Sequence, residues 1–302
     1  MNAINIENLT KSYNGKENVL NNINISIPKG QIFGFFGPNG SGKTTTVRIL
    51  NGIVSGNSGD CEILGKSIKE NMNEIHKLCG VMTESAFCYE NLTAEENLMF
   101  FGRMHGLENS YLKERIILIL KRLDLFSVKN KKIKEFSTGM KKRISLAISI
   151  IHNPQVLFLD EPTSGLDPES AYNVTNLIKE LAAENDVTIF LCTHQLKYAE
   201  NLCTLYGFIE NGNLLGFGTF EELALSKNAT LQLKIRGKNI QEKLGFEYKN
   251  NNLYTKTISG DEEVNSIIHN ILTNNGEIYE VIQQKWSLEQ LYFNYIKGIK
   301  EV

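Results

Sequence analysis

One short segment limits the fold of this chain more than any other. Residues 37–44 read Gly-Pro-Asn-Gly-Ser-Gly-Lys-Thr and match the pattern G-x-x-x-x-G-K-[ST]. The apolar run Ile32–Phe36 before them predicts a strand, and residues 45–50 after them predict a helix. Glycines let backbone N–H groups close around phosphate oxygens, and the helix N-terminus adds partial positive charge. We therefore expect an α/β fold with a phosphate site at this turn.

Two residues of this loop are suited to the phosphates of a nucleotide and its metal ion. Lys43 is placed to reach the β- and γ-phosphates, and the Thr44 hydroxyl is placed to hold Mg²⁺. The alternative is a Gly-rich turn without a ligand, which the agreement of the motif and both flanks disfavours. The residues of this segment that we expect to bind nucleotide are Gly37, Pro38, Asn39, Gly40, Ser41, Gly42, Lys43, Thr44 and Thr45.

A second apolar run, residues 155–159, ends in Asp160 and Glu161. A buried strand that delivers two acids at its carboxyl end is the usual partner of such a loop. Asp160 suits a place behind the metal ion's direct ligands or a bound water, and Glu161 suits orientation or activation of the attacking water. The alternative is a core strand with solvated acids at its tip, which the neighbouring phosphate loop disfavours.

The order of the remaining motifs resembles the ABC-type ATPase family, a branch of the P-loop NTPases. Residues 136–143 read Phe-Ser-Thr-Gly-Met-Lys-Lys-Arg and open a helix rich in Ile, Leu and Ala. The resemblance implies that Ser137, Thr138, Gly139 and Met140 form the signature that binds the γ-phosphate of ATP held by the opposite subunit. The family's usual pattern, Leu-Ser-Gly-Gly-Gln, is not kept, and the Ser-x-Gly-Met-Lys-x-Arg variant looks like that of bacterial exporter ATPases. Read alone, Ser-Thr-Gly predicts only a helix N-cap.

The same resemblance implies roles for three further residues. Tyr13 matches the aromatic residue that stacks on adenine, although a half-exposed strand tyrosine is the alternative. Asp167 matches the acidic residue of the loop that couples the two subunits' sites. His194, which follows the apolar residues 187–191, matches the histidine that contacts the γ-phosphate.

Glu84 departs from the family pattern, which has Gln at this position. A carboxylate can serve as a metal ligand, so we count Thr44, Asp160 and Glu84 as metal ligands and Glu161, His194 and Glu84 as catalytic residues. An acid here resembles transporters that protect bacteria against antimicrobial peptides, lantibiotics and bacitracin-like compounds. Neutral drift among small exporters is the alternative. The expected cofactors are ATP and Mg²⁺.

Composition bears on partners and compartment. The formal charge of −2 provides no global attraction to nucleic acid, and no nucleic-acid partner is expected. The five cysteines form no C-x-x-C pair, which indicates reduced thiols in the cytoplasm. No signal segment and no apolar stretch of about 20 residues is present, so we expect a separate membrane permease to span the bilayer. The chain would be peripheral at the inner face of the cell membrane, paired with itself or with another ATPase subunit.

Two domains are expected. Residues 1–220 form the ABC-type ATP-binding domain, with a helical subdomain at about residues 94–151 whose start carries a capping-box signal, Thr93 to Glu96. Residues 221–302 form a small α+β accessory domain. Its predicted order, β-α-β-β-α-β, includes a short helix over residues 239–244 and resembles a ferredoxin-like unit.

These features predict an ATP-binding and ATP-hydrolysing subunit that powers a separate permease, an ABC-2-type exporter of drugs, antibiotics or antimicrobial peptides. One alternative is a soluble ATPase of the same superfamily that acts on ribosomes or DNA. Ribosome-acting relatives carry two phosphate loops in one chain, whereas this sequence has one. DNA-repair relatives insert long coiled coils, and this sequence has no sustained heptads. An import ATPase is the other alternative, but its tail is usually a small β-barrel.

Overall fold

The chain divides into two compact units, Met1–Phe220 and Glu221–Val302, in the computed structural model. The structure describes residues 1–15, 17–84, 88–227, 231–240, 245–258, 260–284 and 286–300. This division does not show what each unit does, so the ATP-binding role of the first and the accessory role of the second stay predictions.

The first unit alternates strands and helices along most of its length. Its strands are β1 (Asn2–Ser12), β2 (Asn18–Pro28), β3 (Ile32–Phe36), β4 (Ser58–Ile63), β5 (Lys66–Ser67), β6 (Cys79–Met82), β7 (Val156–Asp160), β8 (Thr188–Cys192), β9 (Leu205–Glu210) and β10 (Asn213–Gly218). Its helices are α1 (Lys43–Leu50), α2 (Met72–Leu78), α3 (Ala94–Met104), α4 (Asn109–Arg122), α5 (Thr138–Ile150), α6 (Pro168–Asn185) and α7 (Leu196–Glu200).

A six-stranded sheet in the order β10-β9-β3-β8-β7-β6 forms the centre of this unit. Strands β9, β3, β8, β7 and β6 run parallel, and β10 returns antiparallel to β9. Because helices cover both faces of such a sheet, its strands read as continuous apolar runs, and every residue of β3 and β8 is buried. The expected α/β architecture is confirmed.

Two acids lie at the carboxyl end of strand β7. The sequence predicted a buried strand that delivers Asp160 and Glu161 at its carboxyl end, and Asp160 is the last residue of β7, where it pairs with Cys192 of β8. Ladder pairing with the neighbouring strand therefore extends β7 by one polar residue. As a result, the Asp160 backbone is fixed by the sheet, while Glu161 is the first residue beyond it.

A second sheet of the first unit is antiparallel, with the order β2-β1-β4-β5. Its strands alternate between buried and exposed residues, as in β2, where Leu20, Ile23, Ile25 and Ile27 are buried. These side chains belong to one hydrophobic core with Phe33 and Phe35 of the central sheet and Val47 of α1. The core thus holds the two sheets and the helix after the phosphate loop together.

Helices α3, α4 and α5 lie in the segment predicted as helical. Thr93 accepts a hydrogen bond from the Glu96 N–H at 3.1 Å, and the Glu96 carboxylate accepts one from the Thr93 N–H at 2.8 Å. The predicted capping box is therefore confirmed. Across the ranges that the structure describes, no helix is long and apolar enough to cross a membrane.

The second unit is a four-stranded antiparallel sheet with helices. Its elements are α8 (Phe220–Ser226, whose first residue belongs to the first unit), β11 (Leu231–Lys238), β12 (Glu247–Lys249), β13 (Leu253–Ile258), α9 (Asp261–Thr273), β14 (Glu277–Gln284) and α10 (Leu288–Lys300). The strand order is β12-β13-β11-β14, as in a split β-α-β unit. The predicted short helix over residues 239–244 falls largely on residues 241–244, which lie outside the described residues.

Candidate nucleotide-binding site

Strand order explains why motifs far apart in sequence meet. The adjacent parallel strands β3, β8, β7 and β6 end along one edge of the sheet. The phosphate loop follows β3, His194 follows β8, Glu161 follows β7 and Glu84 follows β6. Together these segments form a cleft of about 350 Å³, lined by Val19, Asn39, Gly40, Gly42, Lys43, Thr44, Thr45, Glu84, Asp160, Glu161 and His194.

Two glycines of the phosphate loop cannot be replaced without moving the neighbouring backbone. Gly42 has φ 115°, and a Cβ there would lie 2.6 Å from Leu20 Cδ2 and 2.9 Å from the Val19 carbonyl oxygen. A Cβ at Gly37 would lie 2.1 Å from the carbonyl oxygen of Ile209. Close approach of β2 and β9 thus dictates glycine at both positions.

Lys43 is folded onto its own loop. Its ammonium donates hydrogen bonds to the carbonyl oxygens of Gly37 at 2.6 Å and Pro38 at 3.0 Å. The side chain is buried, although Lys43 also lines the cleft. The ammonium therefore lies beside the space that phosphates would occupy. There it could give up its hydrogen bond to a loop carbonyl oxygen and donate to a phosphate oxygen instead.

The pair Thr44 and Asp160 fits a magnesium ion. The Thr44 hydroxyl lies 3.4 Å from Asp160 Oδ2, and both are oxygen donors at the wall of the cleft. No group of three His, Cys, Asp or Glu side chains that could hold a metal occurs among the residues described. Mg²⁺ is usually held by one or two carboxylates together with substrate phosphates, so a site completed by a nucleotide agrees with this donor set.

Asp160 lies in an unfavourable setting for a charge. Burial, together with the negative charges of Glu161 and Glu84, raises the pKa of its carboxyl group, while the Thr44 hydrogen bond and Lys43 lower it. A divalent cation bound here would relieve this repulsion, since opposite charge favours the ionised form. The electrostatics of the cleft therefore favour cation binding.

Glu161 is held rigidly between the ends of two strands. One carboxylate oxygen accepts a hydrogen bond from the buried Thr193 hydroxyl at 3.0 Å. The other accepts hydrogen bonds from the His194 N–H at 2.9 Å and the ring Nδ1 at 2.6 Å. A carboxylate so fixed at the cleft wall can accept a proton from water or orient it. The buried Lys142 also donates to the backbone oxygen of Glu161, at 2.8 Å.

The signature residues lie apart from the lining of this cleft. Ser137 caps α5, and its hydroxyl accepts a hydrogen bond from the Met140 N–H at 3.2 Å. A Cβ at Gly139 would lie 3.3 Å from Leu166, so the signature approaches the loop that ends at Asp167. Thr138 and Met140 belong to the first turn of α5. The cap predicted from the sequence is confirmed, whereas the nucleotide contact stays a prediction.

Asp167 has a local role that does not depend on a second subunit. It is the N-cap of α6, and its carboxylate accepts a hydrogen bond from the Ser170 N–H at 2.9 Å. This bond lowers the pKa of the Asp167 carboxyl. The coupling role that the family resemblance implies therefore stays a prediction beside this capping role.

Four other predicted nucleotide contacts are absent from the cleft lining. They comprise Tyr13, Gly37, Pro38 and Ser41. Tyr13 is 56% exposed, and the ammonium of Lys11 lies 5.0 Å from its ring centroid. The Ser41 hydroxyl is buried and makes no hydrogen bond to the residues that the structure describes. Their contacts with a nucleotide stay predictions.

Sequence reasoning missed three residues of the site. Val19 lines the cleft, and no sequence signal distinguishes it from other apolar strand residues. Thr193 donates a hydrogen bond to Glu161, and its position directly before His194 was the sequence signal that could have identified it. Lys142 also bonds Glu161, and its place on the signature helix, five residues after Ser137, was the signal.

Comparisons with known proteins agree with this geometry. Residues 20–164 match the model of the family described as "ABC transporter". The chain is 35% identical over 235 residues to the linearmycin resistance ATP-binding protein of Bacillus subtilis, covering 77% of this chain and 75% of that protein. It is 37% identical to the bacitracin transport ATP-binding protein of Bacillus licheniformis, covering 76% of this chain and 74% of that protein.

A third relative is the lantibiotic transport ATP-binding protein of Streptococcus pyogenes, 37% identical over 70% of this chain and 88% of that protein. The chain also matches plant ABC transporter A family members, of which it spans about 30% of the length. These comparisons place shorter bacterial ATP-binding proteins and parts of longer transporters in one group with this chain.

Solved structures resemble the chain over about three-quarters of its length. The ATP-binding subunit of an ABC transporter is 25% identical, with a TM-score of 0.70, covering 75% of this chain and 93% of that one. An ATP-binding cassette of an ABC transporter in its ADP conformation is 26% identical, with a TM-score of 0.65, covering 74% of this chain and 92% of that one. Sequence, fold and cleft therefore agree, and the chain belongs to the ABC transporter ATP-binding family, whose members bind nucleotide and hydrolyse ATP to power transport.

Proposed function

We propose that the cleft binds Mg²⁺-ATP with the loop of residues 37–44 around the phosphates. In this arrangement Lys43 leaves a loop carbonyl for the terminal phosphates, and Thr44, Asp160 and Glu84 face the metal ion. Glu161 orients the attacking water, and His194 contacts the γ-phosphate. The hydrogen bonds of Thr193 and His194 to Glu161 support this assignment, because they hold the carboxylate at the wall of the same cleft.

The working unit is a dimer of ATPase subunits, formed with a second copy or with a paired ATPase chain. Ser137, Thr138, Gly139 and Met140 of one subunit contact the ATP held by the other subunit. Support comes from the position of Ser137 at the N-terminus of α5, where free N–H groups favour an anion. Asp167 couples the two sites. It directly follows Leu166, the residue that approaches Gly139.

The chain energises export of antimicrobial compounds through a separate membrane permease. The observation that carries this proposal is the set of relatives named for linearmycin resistance, bacitracin transport and lantibiotic transport, each 35–37% identical to the chain. The carboxylate of Glu84 at the cleft adds support. The chain would act in the cytoplasm, at the inner face of the cell membrane. Helices α9 and α10 in the second unit disfavour the import-ATPase alternative with its β-barrel tail.

Co-purification tests the partner. The tagged chain is isolated from detergent-solubilised membranes, and the bound polypeptide is identified by mass spectrometry. We expect a polytopic permease without an extracytoplasmic solute receptor. Recovery with ribosomes, or with an import system that includes such a receptor, would overturn the export proposal.

Resistance tests the cargo class. Sensitive cells that express the chain with its permease are challenged with bacitracin, a lantibiotic and linearmycin, and the inhibitory concentration is measured. We expect protection against at least one compound, and its loss when Glu161→Gln replaces the wild-type chain at equal expression. Equal sensitivity of all strains to the three compounds would contradict the antimicrobial assignment.

A further inference from the structure

Lys142 is a buried lysine to which none of the predicted motifs gives a role. It is only 6% exposed, and its ammonium donates a hydrogen bond to the carbonyl oxygen of Glu161 at 2.8 Å. Lysine is almost never fully buried unless it is paired. Its neighbour Lys141 shows the ordinary arrangement, an ion pair with Glu90 at 2.6 Å on the surface. Burial of Lys142 therefore requires a specific cause.

The bonded carbonyl belongs to a residue with an unusual backbone. Glu161 has φ 50°, in the left-handed region that L-residues other than glycine rarely adopt. It also precedes Pro162, and a residue before proline prefers extended backbone. Such a conformation persists only where the surroundings over-determine it, and it occurs often at functional sites.

Hydrogen bonds to both the N–H and the carbonyl oxygen of Glu161 hold this conformation. The Glu161 N–H donates to the Cys192 carbonyl at 2.9 Å, which ties it to the end of β8. The Glu161 carbonyl accepts from Lys142 at 2.8 Å and, at a longer 3.3 Å, from the Ser164 N–H. Lys142 therefore makes the shorter of the two bonds to this carbonyl, and it alone comes from outside the strand edge and its turn.

The acidic residues that act on the charge of Lys142 also belong to the cleft. Burial lowers the pKa of its ammonium, whereas the negative charges of Glu161, Glu84 and Asp160 raise it. All three acids line the cleft. Removing the cation would leave their charges less compensated in a partly buried site, which is costly. The structural link between Lys142 and these acids is its hydrogen bond to the Glu161 carbonyl.

We propose that Lys142 is a positioning residue for ATP hydrolysis: its ammonium holds the left-handed backbone of Glu161, so that the carboxylate stays aimed between Thr193 and His194. This proposal rests on the proposed role of Glu161 as the residue that orients water. Because α5 carries both Ser137 and Lys142, the bond also ties the signature helix to the hydrolytic carboxylate of the same chain.

Steady-state ATPase kinetics of three Lys142 variants test this. Lys142→Met keeps the length but removes donor and charge, and we expect kcat to fall about 10- to 100-fold with KM changed less than about threefold, as for misplacement of a catalytic group. Lys142→Arg keeps both and is expected to stay within about threefold of wild type. If Lys142→Met fails to fold, Lys142→Leu replaces it, since leucine also lacks donor and charge, with the same expected direction.

Lys141→Met is the matched control, since it removes the adjacent surface lysine from the same helix and should leave kcat within about twofold. A general packing role would lower the thermal midpoint and affect kcat and KM alike, without rescue by arginine. That pattern, or a wild-type kcat for folded Lys142→Met, would overturn the proposal. If Glu161→Gln itself hydrolyses ATP at the wild-type rate, the proposed role of Glu161 fails instead.

Discussion

A single oxygen of the Glu161 carboxylate accepts two hydrogen bonds from His194, one from the backbone N–H at 2.9 Å and one from the ring Nδ1 at 2.6 Å. Because a carboxylate oxygen only accepts, the ring must carry a proton on Nδ1. The imidazole is thereby oriented by the residue that we propose to activate water. The two residues behave as one unit, in which a change to either side chain disturbs the other.

Glu161→Gln should lower the ATPase rate at least about 100-fold, because an amide cannot accept a proton from water. It should also accumulate an ATP-bound dimer. The measurements are phosphate release and oligomeric mass in Mg²⁺-ATP. Glu180→Gln, a substitution of an exposed acid on α6, is the control. Hydrolysis by Glu161→Gln at the wild-type rate would remove Glu161 from the catalytic role.

Lys43→Ala should weaken Mg²⁺-ATP binding about 10- to 100-fold, because charged hydrogen bonds to the phosphates are each worth about 1.5–3 kcal/mol. Isothermal titration calorimetry measures the dissociation constant, with Lys29→Ala as a control on an exposed turn lysine. Unchanged affinity in a folded variant would contradict the phosphate-loop assignment.

Ser137→Arg should abolish ATP-driven dimerisation while the monomer still binds ATP, since the larger side chain fills the space proposed for the partner's γ-phosphate. The substitution also removes the cap of α5, which costs about 1 kcal/mol of stability. Ser137→Asp separates the two effects, because aspartate caps a helix but repels phosphate. Analytical ultracentrifugation in ATP should find both variants monomeric. A dimer formed by Ser137→Asp would argue against the signature contact.

Glu84→Ala should leave nucleotide affinity within about threefold but reduce protection of cells that carry the permease, because Glu84 lines the cleft yet lies outside the phosphate loop, and we propose that it faces the metal ion. Glu84→Gln, which restores the family's usual amide, should recover activity. The readouts are calorimetry and the inhibitory concentration at matched expression. Equal protection by wild type and Glu84→Ala would identify this acid as neutral drift.

The rings of His105 and His152 stack face to face, 3.7 Å apart and 2° from parallel. His152 Nε2 lies 3.0 Å from the Cys79 carbonyl oxygen and donates to it, while the buried Nδ1 has no hydrogen-bond partner within the described ranges. Burial, with a smaller contribution from His105, lowers the pKa of His152 from 6.5 to about 4; the Cys79 carbonyl opposes this, and Arg115 adds to it. A neutral ring is therefore built into the fold.

The free energy of unfolding should consequently fall as pH decreases from about 6.5 toward 4. Over that range the unfolded chain binds a proton that folded His152 does not, at about 1.4 kcal/mol per unit of pKa difference. His105, whose pKa burial also lowers, acts in the same direction. Urea unfolding of wild type and His152→Phe at pH 7, 6 and 5 measures the effect. The stability advantage of wild type should shrink with acid, and parallel pH curves would refute this assignment.

Local features of this protein could be predicted from sequence because each involves residues within a turn or two. The capping box of Thr93 and Glu96 and the Ser137 cap join residues three positions apart, and the phosphate loop is one eight-residue segment between β3 and α1. Their geometry follows from backbone dihedral preferences and hydrogen-bonding capacity. Motif order then indicated the family, and the relatives and solved structures agree.

Only the tertiary structure decided how the site is held. Glu161 meets His194 because β7 and β8 are neighbours, and it meets Lys142 because α5 places that ammonium beside the end of β7. The retraction of Lys43 onto Gly37 and the stack of His105 on His152 are equally invisible in the sequence. These contacts depend on strand order and on the packing of side chains 6 to 47 positions apart, and neither is encoded in residue type or spacing. Residue identities therefore determined the chemistry available to this chain, while close packing around the sheet edge determined which groups act together.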